Sequence, residues 1–187
     1  MGRLLAYFRP LHRSTFGACL SRFDGQRFQT VLRVHLLRWC WIYLLVASVA
    51  IAFHARFAIG VNVTASLPYR LFIIDTRAHP AGGDYVAFRW PGGGPYAKGA
   101  TFVKQIVGLP GDVVTRVDRD YFVNGLPVGL AKQMGRSGQP LAAGPTGTLP
   151  AGRYYVRAPH PDSLDSRYAL LGWISESQLV GRAYVLF

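Results

Sequence analysis

The chain has 187 residues, half of them hydrophobic and 13% aromatic, with only 16% charged; this balance excludes intrinsic disorder and is poor in charge for a purely soluble protein. A formal charge of +12 would suit a nucleic-acid partner, yet seven arginines (Arg3, Arg9, Arg13, Arg22, Arg27, Arg33 and Arg38) fall within residues 1–38 against one acid, Asp24. The 14 basic and 8 acidic residues downstream are scattered, without Lys/Arg runs or the interleaved aromatics of a strand-binding groove, so no nucleic-acid partner is expected.

Residues 1–38 form a basic arm with no clear periodicity apart from a candidate helix over 28–38. Residues 39–55, WCWIYLLVASVAIAFHA, follow with no formal charge and are bracketed by Arg38 and Arg56. At helical rise they span ~26 Å, the short end of a bilayer crossing, which Arg56 could lengthen by snorkelling. A single transmembrane helix is expected. Trp39, Trp41 and Tyr43 would form an interfacial belt at its amino end, and the preceding arginines place that end in the cytoplasm. A cleaved signal peptide fits less well, because Ala50 and Ala52 lie inside the apolar run and the basic region before it is too long. A buried core helix is the other alternative. The two cysteines, Cys19 and Cys40, both precede residue 60 and form no C-x-x-C pair, so neither a disulfide framework nor a zinc-ligand spacing exists.

From residue 60 onward, short apolar runs are punctuated by Gly and Pro. Strands are predicted over 86–90, 101–107, 113–117, 121–123, 153–157 and 182–187, with a hairpin turn at Asn124-Gly125 and loops over 91–95 and 135–150. The region from 60 to 187 should therefore be an all-β domain, a folded-over sheet or partial barrel, anchored by the one N-terminal helix.

Three segments carry candidate chemistry. Lys104, one of only three lysines, sits in the strand pattern FVKQIV on the side shared by Phe102 and Ile106. If that side is the core, burial lowers the amine pKa toward neutrality and makes it a base; if Val103, Gln105 and Val107 face the core instead, Lys104 is a solvated lysine. A lysine base needs a hydroxyl, and the segment Asn62-Val63-Thr64-Ala65-Ser66-Leu67-Pro68 supplies one, since Pro68 restrains Leu67 and holds Ser66 at a turn. The Thr64 hydroxyl and the Ser66 N–H could address one carbonyl oxygen, though alone this T-x-S-x-P pattern also describes an ordinary turn. Ser66 follows Arg56 by ten residues, ~35 Å at most, and so would work near a membrane surface. The third segment runs from Asp162 to Tyr168. Extended, it would project Ser163, Asp165 and Arg167 to one side, Asp165 and Arg167 pairing while Ser163 bonds a neighbouring amine. His160 beside Asp162, with Ser163 or Ser166, offers a rival Ser-His-Asp set, but triad members usually come from separate elements and no G-x-S-x-G elbow is present.

Taken in order, T-x-S-x-P at 64–68, G-D-Y-V at 83–86, V-K-Q-I-V-G-L-P-G-D at 103–112, the V-N-G hairpin at 123–125 and S-L-D-S-R-Y at 163–168 resemble the type I signal peptidase family. N-V-T-A-S-L-P at 62–68 is similar to its conjugal-transfer TraF branch, the pilin-processing peptidases. The resemblance covers about residues 60–187 and implies Ser66 as nucleophile, Lys104 as general base, Thr64 as oxyanion donor and Ser163 as the hydroxyl orienting the amine. Asp165 and Arg167 would form a structural salt bridge behind them, and residues 108–111 the turn leaving the lysine strand, with Asp112 satisfying backbone donors there. It implies no cofactor and no metal. The expected partners are a pilin or secretory precursor, cleaved or cyclised, and the lipid bilayer of a bacterial inner membrane, with the catalytic domain in the periplasm. Two other readings are a general housekeeping signal peptidase and a non-catalytic membrane-tethered component of a conjugation or secretion apparatus. The chain departs from the branch pattern at Arg70, where a glycine is usual and where positive φ would strain the strand, at Gln105, where an arginine is common, and at 169–172.

Overall fold

A computed structural model describes residues 25–64 and 66–187. The first 24 residues, with Cys19 and the arginines at 3, 9, 13 and 22, lie outside the described residues, as does Ala65. The chain divides into two units after Ala50. Most of α1 (Gly25–His54) lies in the first; the helix begins well before Trp39, because residues 26–38 contain neither Gly nor Pro to interrupt it. Its segment Phe28–His54 has mean hydropathy 1.9 and is long and apolar enough to cross a membrane. Those 27 residues span ~40 Å of helix, more than a hydrocarbon core requires, which leaves the Arg33 and Arg38 heads room to reach an interface.

The second unit is built of strands. In chain order they are β1 (Phe57–Val61), β2 (Leu71–Asp75), β3 (Tyr85–Arg89), β4 (Thr101–Gly108), β5 (Val113–Val117), β6 (Asp120–Val123), β7 (Leu126–Leu130), β8 (Gly147–Thr148), β9 (Arg153–Arg157), β10 (Ile174–Ser175) and β11 (Leu179–Val185). All pairings are antiparallel. A seven-stranded sheet runs β1-β2-β11-β3-β4-β9-β10, and a four-stranded sheet runs β7-β6-β5-β8. The expected all-β class is the one observed.

Asn124 and Gly125 both take positive φ, 50° and 78°, between paired Val123 and Leu126. This is the twist-matched two-residue turn that the Asn-Gly pair favours. Asp112 holds the turn of that hairpin: one carboxylate oxygen accepts from the Leu109 N–H and the other from the Asn124 side-chain amide.

Three apolar clusters form the core. Val86, Phe88, Ile106, Val156 and Ile174 pack between β3, β4, β9 and β10. Phe72, Ile74, Ala87 and Ala183 pack where β2, β3 and β11 adjoin, and Leu67 from the preceding loop joins them. Val114, Tyr121, Val123, Leu149, Tyr155 and Tyr168 join the small sheet to β9. In β3, Val86, Ala87 and Phe88 are all buried, so this central strand reads as a continuous apolar run rather than an alternating one.

Gly108 sits where the β4–β9 register slips, between Ile106 and Gly108. A Cβ there would stand 2.9 Å from both Leu149 Cδ1 and Tyr155 Cβ and 3.3 Å from Val123 Cγ1. Gly108→Ala is therefore expected to overpack this core by about 2 kcal/mol and to lower the Tm of the β unit by roughly 5–10 °C, measured by near-ultraviolet circular dichroism of the full chain in detergent micelles.

Candidate active site

The Ser66 loop leaves β1 at Val61 and is closed at its base by the Asn62 N–H donating to Arg70 O at 2.8 Å. Within it the Asn62 side chain acts as a hub. Its amide nitrogen donates to Leu67 O (3.3 Å) and Tyr69 O (3.0 Å), and its oxygen accepts from the Thr64 N–H (3.1 Å) and the Thr64 hydroxyl (2.9 Å). Leu67, 4% exposed, anchors the far side of the loop in the apolar core. Arg70 takes no positive φ, so this chain fits a side chain where the branch usually has glycine without backbone strain.

Thr64 Oγ1 lies 2.9 Å from Ser66 Oγ. Because the single Thr64 proton is given to Asn62, Ser66 donates to Thr64 in this arrangement. Lys104, in β4, is 4% exposed and shares the buried side of the strand with Ile106 and Gly108, which settles the orientation left open by the sequence. Its amine donates to Ser163 Oγ at 2.7 Å. Burial lowers the Lys104 pKa from 10.5 to about 8; the Asp165 charge opposes that shift and Arg167 adds to it.

Segment 161–170 is a series of turns rather than an extended strand. Even so, Arg167 grips Asp165 through two parallel bonds of 2.8 Å, and Asp165 also accepts from the backbone N–H groups of Ala158 and Arg167. This buried fork fixes the turn from which Ser163 projects.

Ser66, Thr64, Lys104 and Ser163 all line one cavity of about 350 Å³, together with Phe102 and His160. Across it Ser66 is held by Thr64 and Lys104 by Ser163, with no direct hydrogen bond between the Ser66 hydroxyl and the Lys104 amine. The arrangement can do serine chemistry with a lysine base: a hydroxyl on a stapled turn faces an amine that is substantially neutral near pH 8. The Ser-His-Asp alternative lacks its geometry. His160 Nδ1 accepts the Asp162 backbone N–H, the Asp162 carboxylate is taken by Lys132 and Arg136, and the buried Ser166 Oγ accepts from the Val156 N–H. Those two cations, Lys132 foremost, hold Asp162 below the usual carboxylate range. Among the described residues no three His, Cys, Asp or Glu side chains converge as a metal site.

Asn62 marks the branch resemblance in the sequence but its role as the staple of the loop was not legible there. The only cue was an amide at a loop entrance, where Asn side chains commonly bond nearby backbone.

Comparison with known proteins shows the family. Residues 32–187 match the family described as signal peptidase, peptidase S26. Signal peptidase I of Pseudomonas fluorescens is 29% identical, over 63% of this chain and 54% of that protein, and signal peptidase I of Pseudomonas aeruginosa is 27% identical with the same coverage. The chain thus spans about half the length of the curated relatives it matches. The crystal structure of a signal peptidase I from Enterococcus faecalis V583 aligns with a TM-score of 0.38 at 27% identity, covering 58% of this chain and 97% of that one. With the family matched across β1 to β11 and most of α1, the chain belongs to the signal peptidase family, peptidase S26.

Proposed function

We propose that this protein is a membrane-anchored serine endopeptidase that cleaves signal or leader peptides from precursor proteins, with Ser66 as nucleophile and Lys104 as general base. The observation that carries this reading is a lysine amine that burial has brought to about pH 8, facing a stapled serine across one cavity. Neutral Lys104 accepts the Ser66 proton as Oγ attacks the scissile carbonyl. The Ser66 N–H and the Thr64 hydroxyl, turned from Asn62, stabilise the oxyanion; Lys104 then protonates the leaving amine. Ser163 orients the amine through its 2.7 Å bond, while Asp165 and Arg167 hold Ser163 in place. Water activated by the same lysine hydrolyses the ester, or the substrate's own amine attacks it and cyclises the product.

A substrate strand has somewhere to pair. β9 pairs with β4 only from Gln105 onward, so residues 101–103, just before the lysine, keep one edge without a partner strand among the described residues. An extended precursor added there would present alternate side chains to the cavity, which suits small residues before the scissile bond. α1 would span the inner membrane with the basic arm (1–38) cytoplasmic, a membrane core at 39–55 and the peptidase domain (60–187) periplasmic. Asn62, by holding the T-x-S turn, supports the TraF branch and a conjugative pilin as substrate. A general signal peptidase is the second reading, favoured by the names of both curated relatives.

Co-expression with a small-residue-rich pilin precursor or a secretory precursor, read by intact mass, tests the assignment. Ser66→Ala and Lys104→Met are each expected to reduce processing by about 10³-fold or more while the protein stays in the membrane. Unchanged processing in both would favour a non-catalytic tethered component. A wild-type product one water lighter than the linear peptide would reveal cyclisation.

Only neutral Lys104 is a base, and below its pKa it is protonated. Consequently kcat/KM should rise about tenfold per pH unit below 8, bend near 8 and level above it. A profile flat from pH 6 to 9.5 would remove Lys104 from the role. Asn62→Ala, which releases all four bonds of the hub, should lower kcat by roughly 10- to 100-fold with little change in KM, since it loosens the nucleophile without touching substrate.

A further inference from the structure

A second cavity of about 620 Å³ adjoins the one that holds Ser66 and Lys104. Its walls are the turn at residues 94–96 and the loop at 132–142, with Leu164 and Tyr168 between them. Tyr96, Arg136, Asp162 and Leu164 line both cavities, so the two lie side by side. A peptide bond placed between Ser66 and Lys104 must send its chain away in two directions, and this groove leads one of them off.

Charge is concentrated where the cavities meet. Lys132 and Arg136 both pair with the single carboxylate of Asp162, leaving one positive charge uncompensated. Arg136 engages Asp162 through Nε alone, at 3.0 Å; its two terminal NH groups have no hydrogen-bond partner among the described residues, and its side chain is 70% exposed. A guanidinium with that edge open is shaped to receive a second carboxylate in a fork.

The loop carrying Arg136 is held in place. Gly135 N–H donates to Gln139 O, Leu141 N–H to Gln133 O, and Met134 bridges Pro140. From below, Arg119 donates to the carbonyls of Ala131, Lys132 and Leu141, gripping both ends of the loop at once. The cation is thereby pre-positioned beside the reacting centre rather than left on a free tip.

We propose that this groove is the subsite for the substrate segment flanking the scissile bond, and that Arg136 selects a carboxylate in that segment. The proposal rests on the peptidase reading above, and its test separates the two. Full-length protein in detergent micelles is given a neutral, C-terminally amidated small-residue peptide in which one Asp, or Asn as control, is walked through five positions on each side of the scissile bond.

Asp at one position should raise kcat/KM about three- to tenfold over Asn there, and the gain should shrink at high salt. Arg136→Gln should bring that Asp/Asn ratio to about one, and Arg136→Glu should invert it and favour Lys at the same position. A gain seen only with free-acid peptides would assign the recognised carboxylate to a chain end rather than a side chain. Equal rates for Asp and Asn at every position, and for amidated and free ends, would overturn the proposal while leaving the peptidase reading intact. Cleavage of no peptide in the series would overturn the peptidase reading itself.

Discussion

Keeping the Lys104 amine out of water is the constraint on which the rest of this site depends. Moving its pKa from 10.5 to about 8 corresponds to a penalty on the charged form on the order of 3 kcal/mol, which the fold must absorb wherever the amine is protonated. The fold meets that demand by aligning Lys104 with Ile106 on the covered side of a strand paired to β3 and giving the amine a neutral hydroxyl rather than a carboxylate as partner. A carboxylate at hydrogen-bond distance would have returned the lysine to its charged form. Asp165 is close enough to be felt, yet both of its oxygens are turned to Arg167 and to backbone N–H groups.

The Ser66 hydroxyl is positioned by a different means. Lys104 is placed by a sheet, whereas Ser66 is placed by a loop that would be loose without Asn62 below it and Leu67 in the core. Strand geometry is rigid through its ladder; a loop reaches comparable definition only by spending polar side chains on its own backbone. The resting hydrogen bond joins Ser66 to Thr64, on a cavity that Lys104 also lines.

Much of the fold was legible in the sequence because its strands carry local signals. The 113–117 and 153–157 strands were found with the observed limits, and the Asn-Gly turn declared the β6–β7 hairpin. β1 and β2 were missed for reasons visible in their residues. FAIGV adjoins the apolar helix and contains a glycine, and in LFIID three of five positions are buried, without the clean two-residue period that betrays a half-exposed strand. β8 and β10, two residues each, are defined by partners distant in sequence. At the site, Ser66, Lys104 and Ser163 were singled out in the sequence through the family resemblance, and the structure brings the three to one cavity. The Asn62 hub and the open edge of Arg136 were not, since each depends on where a loop's backbone returns.

The three-carbonyl grip of Arg119 has a consequence for how this scaffold can diversify. By closing the loop at Ala131, Lys132 and Leu141, it isolates residues 133–140 from the core as a self-contained module. Insertions, deletions and charge changes at the tip then carry little folding cost, because no core contact is rewritten and lengthening a closed loop adds only slowly to its entropy. Such a module can explore new sequence while the lysine, the serine turn and the ion pair stay under separate selection. On the proposed reading, change in what is recognised is thereby uncoupled from preservation of how the bond is broken.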